Sequence, residues 1–549
     1  MNLRPGHDSP DPATALKLTA DMLILMTGFI GLVWWTGVEV AGLGFLCLLP
    51  LALIGLANRA GPFLLRWLEA TRVSRRPLTP GEIELGAAVE WPHAPIRLDG
   101  REREGHTAIL GRNGSGKSTL MKWMIEQDLS QHRPIIVIDP HLSLVWQCAY
   151  LAMSHDQYPI VLEPAPRYMN TLNLLETRPG YGPLEAARTV TEGLIQVYLP
   201  YQDEVPVRIY HMLGAAAYML AAADEGYTVL ELQRWLLQKS FREYVARKAF
   251  LTTSGRGWLE SSAALAALKW LDSLTRTQLY DHTQSTWTRL FGLLSHPDAQ
   301  RMLGSSRSTF DFGQVRNGVP LLVGIGDQGL HRTGHILGSL IITWVTNCVL
   351  MEPSEAGGWE PIYLYADELA EYSPESFERL LRHARKQSLR MAFIAQAQTL
   401  LHPKLSQTVM ANISSILVSG LSGAGVEELV REMGRPDEAQ RRGGSAGPFI
   451  ELQRQLQQMA SAIRDLPKHE FYVWRASRPG PAVRFRTGRI GWNQTGTADA
   501  ARAAALQWRG KSVIVIDEEI RERTSKLDAQ FGPLHDFGER ETPREMAPW

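Results

Sequence analysis

Several features that mark other classes of protein are missing from this sequence. Its 549 residues include only three cysteines, Cys47, Cys148 and Cys348, which stand far apart and fit no metal-binding spacing. The histidines form no H-E-x-x-H pattern, and no internal repeat is present. Basic and acidic residues number 57 each, so no net charge draws the chain toward nucleic acid or a membrane surface. We therefore expect reduced thiols in a cytoplasmic protein, and any basic binding surface must be local.

We expect long apolar runs only in the first 60 residues. Runs at about 18–36 and 39–57 each approach the ~20 residues that a helix needs to cross a bilayer. The short connection places both outer ends on one side, and the positive-inside rule makes that side cytoplasmic. A cleaved signal peptide and a buried helical hairpin are the alternatives. The basic residues that flank the runs are Arg4, Lys17, Arg59, Arg66, Arg72, Arg75 and Arg76.

The rest of the chain is long enough for more than one domain. Apolar strands alternate with helices before and after a central stretch, and this alternation predicts an α/β fold with a parallel sheet. The central stretch is helical throughout, with ten basic and ten acidic residues in 201–300. The predicted division is an anchor at 1–60, a basic linker and strand-rich lead-in at 61–100, a P-loop domain at 101–182 and 300–495, an inserted all-α domain at 183–299, and a polar tail at 496–549 with one strand at 512–517.

A glycine-rich loop carries the strongest chemical signal. The loop matches G-x-x-x-x-G-K-[S/T] completely and lies between an apolar strand and a helical pattern. Glycines at 111, 114 and 116 are expected to take positive φ, so that backbone N–H groups face a phosphate. Lys117 would reach the β- and γ-phosphates of ATP, and the Ser118 hydroxyl would ligate Mg²⁺. The predicted nucleotide-binding residues are Gly111, Arg112, Asn113, Gly114, Ser115, Gly116, Lys117, Ser118 and Thr119.

A second signal is an apolar strand, residues 362–366, that ends in two carboxylates. Asp367 is expected to hold the Mg²⁺ shell, and Glu368 to polarise the attacking water. Adjacent acids at a strand tip repel each other, and a shared cation relieves that repulsion. The pair follows the glycine loop in the chain order of Walker A and Walker B elements, which predicts an ATP hydrolase.

Three weaker signals surround these elements. Gln396 ends a later strand and is interpreted as a γ-phosphate sensor, with a polar strand cap as the alternative. One of the basic residues before that strand would act in trans as an arginine finger, with Arg385 as first choice and a solvated helix face as the alternative. His141, after Asp139 and Pro140, is interpreted as a turn residue near the nucleotide in preference to a catalytic histidine. The basic residues are Arg379, Arg382, Arg385, Lys386 and Arg390.

With these motifs the chain resembles the type IV coupling proteins of conjugation and type IV secretion, within the FtsK/HerA-like group of DNA-pumping ATPases. The resemblance covers roughly residues 18–490 and depends on the order of the motifs. It implies a RecA-like motor domain, a homo-hexameric ring, and a membrane-distal all-α domain that receives substrate. It also implies the bacterial inner membrane as location, secretion-channel proteins as partners, and single-stranded DNA, alone or bound by a relaxase, as cargo.

The resulting hypothesis is ATP-driven transfer of DNA or a relaxase–DNA complex to a secretion channel. Two alternatives stay open: a pump for protein effectors, and a membrane-tethered nucleotide switch that recruits partners. Salt-dependent affinity for DNA distinguishes the first alternative from the hypothesis. Slow hydrolysis that DNA does not stimulate would indicate the second.

Overall fold

The computed structural model describes most of the chain after residue 75. The described residues are 71, 76–90, 92–198, 207–253, 258–325, 332–351, 360–368, 374–383, 388–395, 411–421, 425–433, 452–478, 482–488 and 495–534. The predicted membrane hairpin, Arg385 and Gln396 lie outside these residues. The chain divides into two compact units, Met1–Gly100 with Val418–Gly488 and Arg101–Leu417 with Arg489–Trp549.

Strands and helices are numbered in chain order over the described residues. The strands are β1 (Ile83–Ala88), β2 (Pro95–Leu98), β3 (His106–Gly111), β4 (Ile135–Ile138), β5 (Ile160–Leu162), β6 (Tyr168–Met169), β7 (Leu321–Val323), β8 (Ile362–Asp367), β9 (Leu389–Ala395), β10 (Ile413–Ser419), β11 (Glu470–Arg475), β12 (Val483–Thr487) and β13 (Lys511–Ser512). The helices are α1 (Gly100–Glu104), α2 (Lys117–Ser130), α3 (Ser143–Ser154), α4 (Pro183–Tyr198), α5 (Val207–Ala222), α6 (Leu232–Leu237), α7 (Lys239–Thr253), α8 (Trp258–Ser273), α9 (Arg276–Leu294), α10 (Pro297–Leu303), α11 (Phe312–Arg316), α12 (Arg332–Met351), α13 (Pro374–His383), α14 (Gly425–Met433), α15 (Leu452–Arg464), α16 (Thr495–Arg509) and α17 (Val513–Phe531).

The first unit contains antiparallel strands in the order β2-β1-β12-β11. Gly86 lies at an irregularity of β1, where a Cβ atom would stand 2.0 Å from the backbone oxygen of Arg486. Glycine is therefore required by the close approach of the two strands. Strands predicted at 470–475 and 482–487 are confirmed as β11 and β12.

The second unit is built on a parallel sheet, which confirms the predicted α/β class. Its strands follow the order β10-β3-β9-β8-β4-β7-β5, and the pairs from β3 to β5 are all parallel. Every residue of β3, β4, β5 and β7 is buried, as expected for strands covered on both faces. The order places β9 between β3, which leads into the glycine loop, and β8, which ends in the two acids.

Helices α4 to α10 occupy the stretch in which the sequence predicts an inserted all-α domain, and the limits of that domain stay a prediction. Two helical segments here begin with a capping box, in which a threonine and the residue three positions later exchange hydrogen bonds with the backbone. The threonines are Thr228 and Thr275, paired with Glu231 and Gln278. Such caps satisfy the unpaired N–H groups of a first turn and fix where the helix starts.

Helix α12 corrects the expectation that no long apolar run follows residue 60. Within the described residues, Arg332–Leu350 is the helix whose length and composition would suffice to cross a membrane. Of that stretch 89% is buried, and the helix packs against α4, α9 and α13. It is therefore a core helix, with the same apolar composition that a membrane span requires.

The strand predicted at 512–517 is wrong, because α17 begins at Val513. The run Val-Ile-Val-Ile has strong β propensity, but only Val513 and Ile516 are buried, at 7% and 0% exposure. Ile514 and Val515 are exposed at 76% and 48%. A spacing of three residues between buried positions is helical, and packing against the rest of the unit outweighs the local preference.

Polar contacts hold α17 against the helical stretch. Arg523 donates to Glu231 Oε1 at 3.0 Å, to Ser306 Oγ at 3.0 Å and to the Gly304 carbonyl at 2.6 Å. Glu519 accepts from the Ser305 hydroxyl and from the Ser306 backbone N–H. Strand β13, which precedes the helix, pairs antiparallel with β6. The C-terminal segment thus contacts both the P-loop side and the helical stretch of the same unit.

Replacing Arg523 with alanine is expected to loosen α17. The variant loses charge-assisted hydrogen bonds to Glu231 and to neighbouring backbone, a cost of about 2 kcal/mol. That cost corresponds to roughly 30-fold faster amide hydrogen exchange along α17. Arg521→Ala is the matched control on the same helix, because Arg521 is 74% exposed and makes a surface i,i+3 pair with Glu518. Equal exchange rates in the two variants would contradict the role assigned to Arg523.

Candidate functional site

The glycine loop connects β3 to α2 and has the backbone that a phosphate-binding loop needs. Gly114 and Gly116 take φ of 78° and 107°. A Cβ atom at Gly114 would meet nothing within 4 Å, so glycine is required there by the left-handed backbone and not by crowding. Gly111 ends β3 and lacks the expected positive φ, because its backbone continues the strand. The positive-φ prediction is therefore wrong at this one position.

Two polar side chains of the loop are buried. The Lys117 ammonium donates to the carbonyl oxygens of Gly111 at 2.8 Å and Arg112 at 3.1 Å. The Ser115 side chain is 5% exposed, and its hydroxyl oxygen has no hydrogen-bonding partner among the described residues. Helix α2 starts at Lys117 without a side-chain cap, so its first N–H groups face the loop. Together these donors fit an anionic ligand at a helix N-terminus.

The two acids lie at the carboxyl end of β8. Burial, together with the charges of Asp139 and Glu368, raises the pKa of Asp367 to about 7, although the charges of His141 and Lys117 oppose the shift. Burial lowers the pKa of Lys117, and the charges of Asp367 and Glu368 partly offset this. The lysine and both acids therefore interact electrostatically, and the sequence-predicted residues Lys117, Asp367 and Glu368 form one cluster.

Asp139 and His141 join this cluster from the adjacent strand. Ile138 of β4 is the register partner of Ala366 in β8, so the residues that follow the two strands meet at the same sheet edge. His141 Nε2 lies 3.1 Å from Glu368 Oε2. Burial lowers the pKa of His141, but the hydrogen bond to Glu368 and the nearby acidic charges outweigh it, so the pKa is raised overall. Sequence reading did not place Asp139 beside Asp367, because it carries no signal that β4 and β8 are neighbours in the sheet.

Strand β9 brings a third segment to the same edge. Asp367 is the register partner of Ile394, and Leu110 at the end of β3 is the partner of Ala395. Strand β9 therefore ends between the strand that leads into the glycine loop and the strand that ends in the two acids. Gln396 is the next residue in the sequence, and its predicted γ-phosphate contact stays a prediction.

Described members of the basic cluster have partners within the chain. Arg379 donates to Glu192 at 2.6 Å and to Asn347 at 3.0 Å, and Arg390 donates to the Tyr363 hydroxyl at 2.7 Å. Arg382 pairs with Glu378 one turn earlier on α13. These contacts give Arg379 and Arg390 roles within the chain, and the role of Arg385 in trans stays a prediction.

A buried charge network, which the sequence did not predict, links α2 to β8 away from the loop. Asp128 accepts from Arg103 at 2.6 Å and from Arg133 at 2.5 Å, and the Tyr365 hydroxyl donates to it at 2.5 Å. Asp128 and Tyr365 are 0% and 1% exposed. Tyr365 and Asp367 are two positions apart on β8, so both side chains point to the same face of the sheet. The network therefore fixes the register between the loop helix and the strand that carries Asp367.

A cation at this edge would need ligands beyond the protein. No group of three or more histidine, cysteine, aspartate or glutamate side chains among the described residues is arranged to hold a metal. Mg²⁺ is commonly bound by one or two protein groups while phosphates and water complete its shell. The Ser118 hydroxyl on α2 and the Asp367 carboxylate fit that partial set.

Taken together, the parallel sheet, the glycine loop between β3 and α2, and the acids that end β8 define an α/β P-loop domain of the nucleoside triphosphatase class. Residues 83–155 match the family model for the central domain of the helicase HerA. That stretch includes the glycine loop, Asp139 and His141. No curated protein matches the chain significantly.

Solved structures of a conjugative coupling protein and of VirB4 also align with the chain. The bacterial conjugative coupling protein TrwBΔN70, in its unbound monoclinic form, is 16% identical over 78% of this chain and 94% of its own, with a TM-score of 0.49. TrwB in complex with ADP and Mg²⁺ is 17% identical over 78% and 93%, with a TM-score of 0.45. VirB4 of Thermoanaerobacter pseudethanolicus is 13% identical over 74% and 96%, with a TM-score of 0.44.

Proposed function

We propose that this chain is a membrane-anchored ATPase that couples ATP hydrolysis to transfer of DNA, or of a relaxase–DNA complex, to a type IV secretion channel. The observation that carries the ATPase part is the electrostatic cluster of Lys117, Asp367 and Glu368 at one edge of the sheet. A cation on the loop together with two acids at the end of β8, on the other side of β9, is the charge pattern that a nucleotide with Mg²⁺ neutralises.

Each residue of the cluster has a distinct task in this proposal. Lys117 and the N–H groups of the loop bind the phosphates of ATP, and Ser118 with Asp367 holds Mg²⁺, which supplies charge neutralisation. Glu368 accepts a hydrogen bond from the attacking water and orients it. Gln396 contacts the γ-phosphate, and Arg385 of a neighbouring subunit in a homo-hexameric ring completes the charge stabilisation.

The cargo that we propose is DNA. The match of residues 83–155 to the central domain of HerA, a helicase, supports a motor that acts on nucleic acid. Two N-terminal spans would hold the ring at the bacterial inner membrane with the ATPase domain in the cytoplasm. Contacts to DNA in a ring pore would go to phosphates and stacked bases, so they would tolerate any sequence.

The deciding experiment measures ATP turnover of the full chain in detergent with and without single-stranded DNA. We expect turnover that DNA stimulates, together with DNA affinity that falls as salt rises. Turnover without stimulation, with no salt-dependent DNA binding, would favour export of protein effectors. Slow hydrolysis that ignores DNA, in a protein that still binds nucleotide, would indicate a recruitment switch.

Magnesium dependence is expected to change with pH because of Asp367. With a pKa of about 7, its carboxyl is about 10% ionised at pH 6 and about 90% ionised at pH 8. The ionised form binds the cation, so the Mg²⁺ concentration for half-maximal turnover should rise about tenfold from pH 8 to pH 6. The control is residual turnover of Asp367→Asn, in which the nucleotide and His141 still titrate but residue 367 does not. Equal pH dependence in both proteins would contradict the assignment.

A further inference from the structure

The contact between His141 and Glu368 joins residues 227 positions apart in the sequence. Nε2 of the imidazole lies 3.1 Å from Oε2 of the carboxylate. The carboxylate is mostly buried, with 15% of the side chain exposed, whereas the imidazole is 66% exposed. His141 is therefore not packed into the core, and its described contact is to the acid that the proposed function assigns to water.

A rigid turn holds His141 in place. Asp139 Oδ1 accepts from the His141 backbone N–H at 2.8 Å, and Oδ2 accepts from the Leu144 N–H at 2.7 Å. Leu142 takes the left-handed backbone conformation with φ of 65°, which a residue with a side chain adopts only when its surroundings impose it. The turn is thus anchored by the carboxylate of Asp139, which is 1% exposed. The backbone that carries the His141 imidazole is therefore fixed.

Glu368, in contrast, has an unfavourable backbone conformation. It follows the last residue of β8 with φ of 49°, a left-handed conformation that is unfavourable for a residue other than glycine. Its N–H donates to the Ile394 carbonyl at 3.2 Å, which ties its backbone to β9. The terminal torsion of a glutamate is broad and roughly two-fold, so a fixed backbone does not by itself orient the two carboxylate oxygens.

We propose that His141 is a positioning residue for Glu368: the imidazole holds Oε2 and thereby sets the direction in which the carboxylate meets the attacking water. This inference deepens the proposed function and rests on it. A correctly oriented base lowers the barrier because the reactive geometry is already present when water binds. Residues that orient a reactive group through one hydrogen bond typically contribute about 10–100-fold to activity.

The test compares ATP turnover of the full-length protein with that of His141→Ala and His141→Gln. We expect His141→Ala to lower kcat at least tenfold while KM for ATP changes less than twofold, because phosphate binding is left intact. His141→Gln carries an amide N–H at nearly the position of Nε2 and should recover most of the loss. An Ala variant with unchanged or higher kcat, or a Gln variant as slow as the Ala variant, would overturn the proposal.

His155→Ala is the matched control, because His155 Nε2 also contacts a glutamate, Glu126 Oε1 at 2.9 Å. His155 directly follows α3, and Glu126 lies on α2 beyond the turn that carries Lys117 and Ser118. This variant should keep kcat within twofold of the parent protein. A double variant adds a second criterion: in a Glu368→Gln background, His141→Ala should have no further effect on kcat. Additive losses would assign His141 a role independent of Glu368 and would contradict the proposal.

The outcomes also separate this inference from the proposed function. Absence of ATP turnover in the parent protein would refute the ATPase assignment itself. Normal turnover in the parent and in His141→Ala would refute the positioning role and leave the ATPase assignment intact.

Discussion

Glu368→Gln is expected to bind ATP with nearly unchanged affinity and to hydrolyse it about 10²–10⁴-fold more slowly, the usual loss when a group that accepts a proton in the transition state is removed. Glutamine keeps the shape of the side chain but cannot accept the proton of water. The charge of Glu368 also raises the pKa of Asp367, so its loss should not weaken Mg²⁺ binding. Single-turnover hydrolysis and equilibrium binding of a fluorescent ATP analogue would separate the two steps.

The control for Glu368→Gln is Glu126→Gln. Glu126 is another partly buried glutamate with a histidine partner, and it lies on α2 outside the cluster. It should retain parental turnover. A Glu368→Gln variant that turns over ATP at the parental rate would show that some other residue orients the water, and it would remove the basis for a positioning role of His141.

Lys117→Ala is expected to impair both binding and turnover, in contrast to Glu368→Gln. The ammonium lies inside the loop and donates to two backbone oxygens. It is therefore already positioned to bind a phosphate, which would compete with those oxygens. Removing one preorganised cationic donor costs on the order of 10²–10³-fold in turnover. Affinity for ATP should fall as well, because the same contact is made in the ground state.

For Lys117, the control is Lys239→Ala. Lys239 is 61% exposed and makes a surface i,i+4 pair with Glu243 at 4.0 Å on α7. Its replacement should leave ATP binding and turnover unchanged. If Lys117→Ala bound ATP like the parent protein, the loop would not be the phosphate-binding element and the proposed function would fail.

The features predictable from sequence were those with a local pattern. Strands β4 and β8 stand out because parallel strands covered on both faces consist of continuous apolar residues. The glycine loop stands out because its spacing is fixed by backbone chemistry. The run at 512–517 misled because its β propensity was outweighed by two buried side chains with helical spacing. The helical pattern at 336–350 correctly predicts α12, but its apolar length was overlooked, since a buried core helix can have the composition of a membrane span.

Contacts between distant positions had no such signal. Tyr365 meets Asp128 across 237 residues, and His141 meets Glu368 across 227. Neither pair has a spacing that sequence reading detects, and both depend on which strands are neighbours in the sheet. The strand order, which places β8 between β9 and β4, is therefore the feature that local sequence patterns did not reveal.

The C-terminal helix has a consequence for biosynthesis. Arg523 reaches Glu231 and Ser306, which precede it by 292 and 217 residues. During translation those earlier groups leave the ribosome long before their partner is synthesised. The helical stretch therefore lacks these hydrogen bonds until residue 523 has been synthesised, and a nascent chain that stalls before this arginine would be a preferred substrate for cellular proteases.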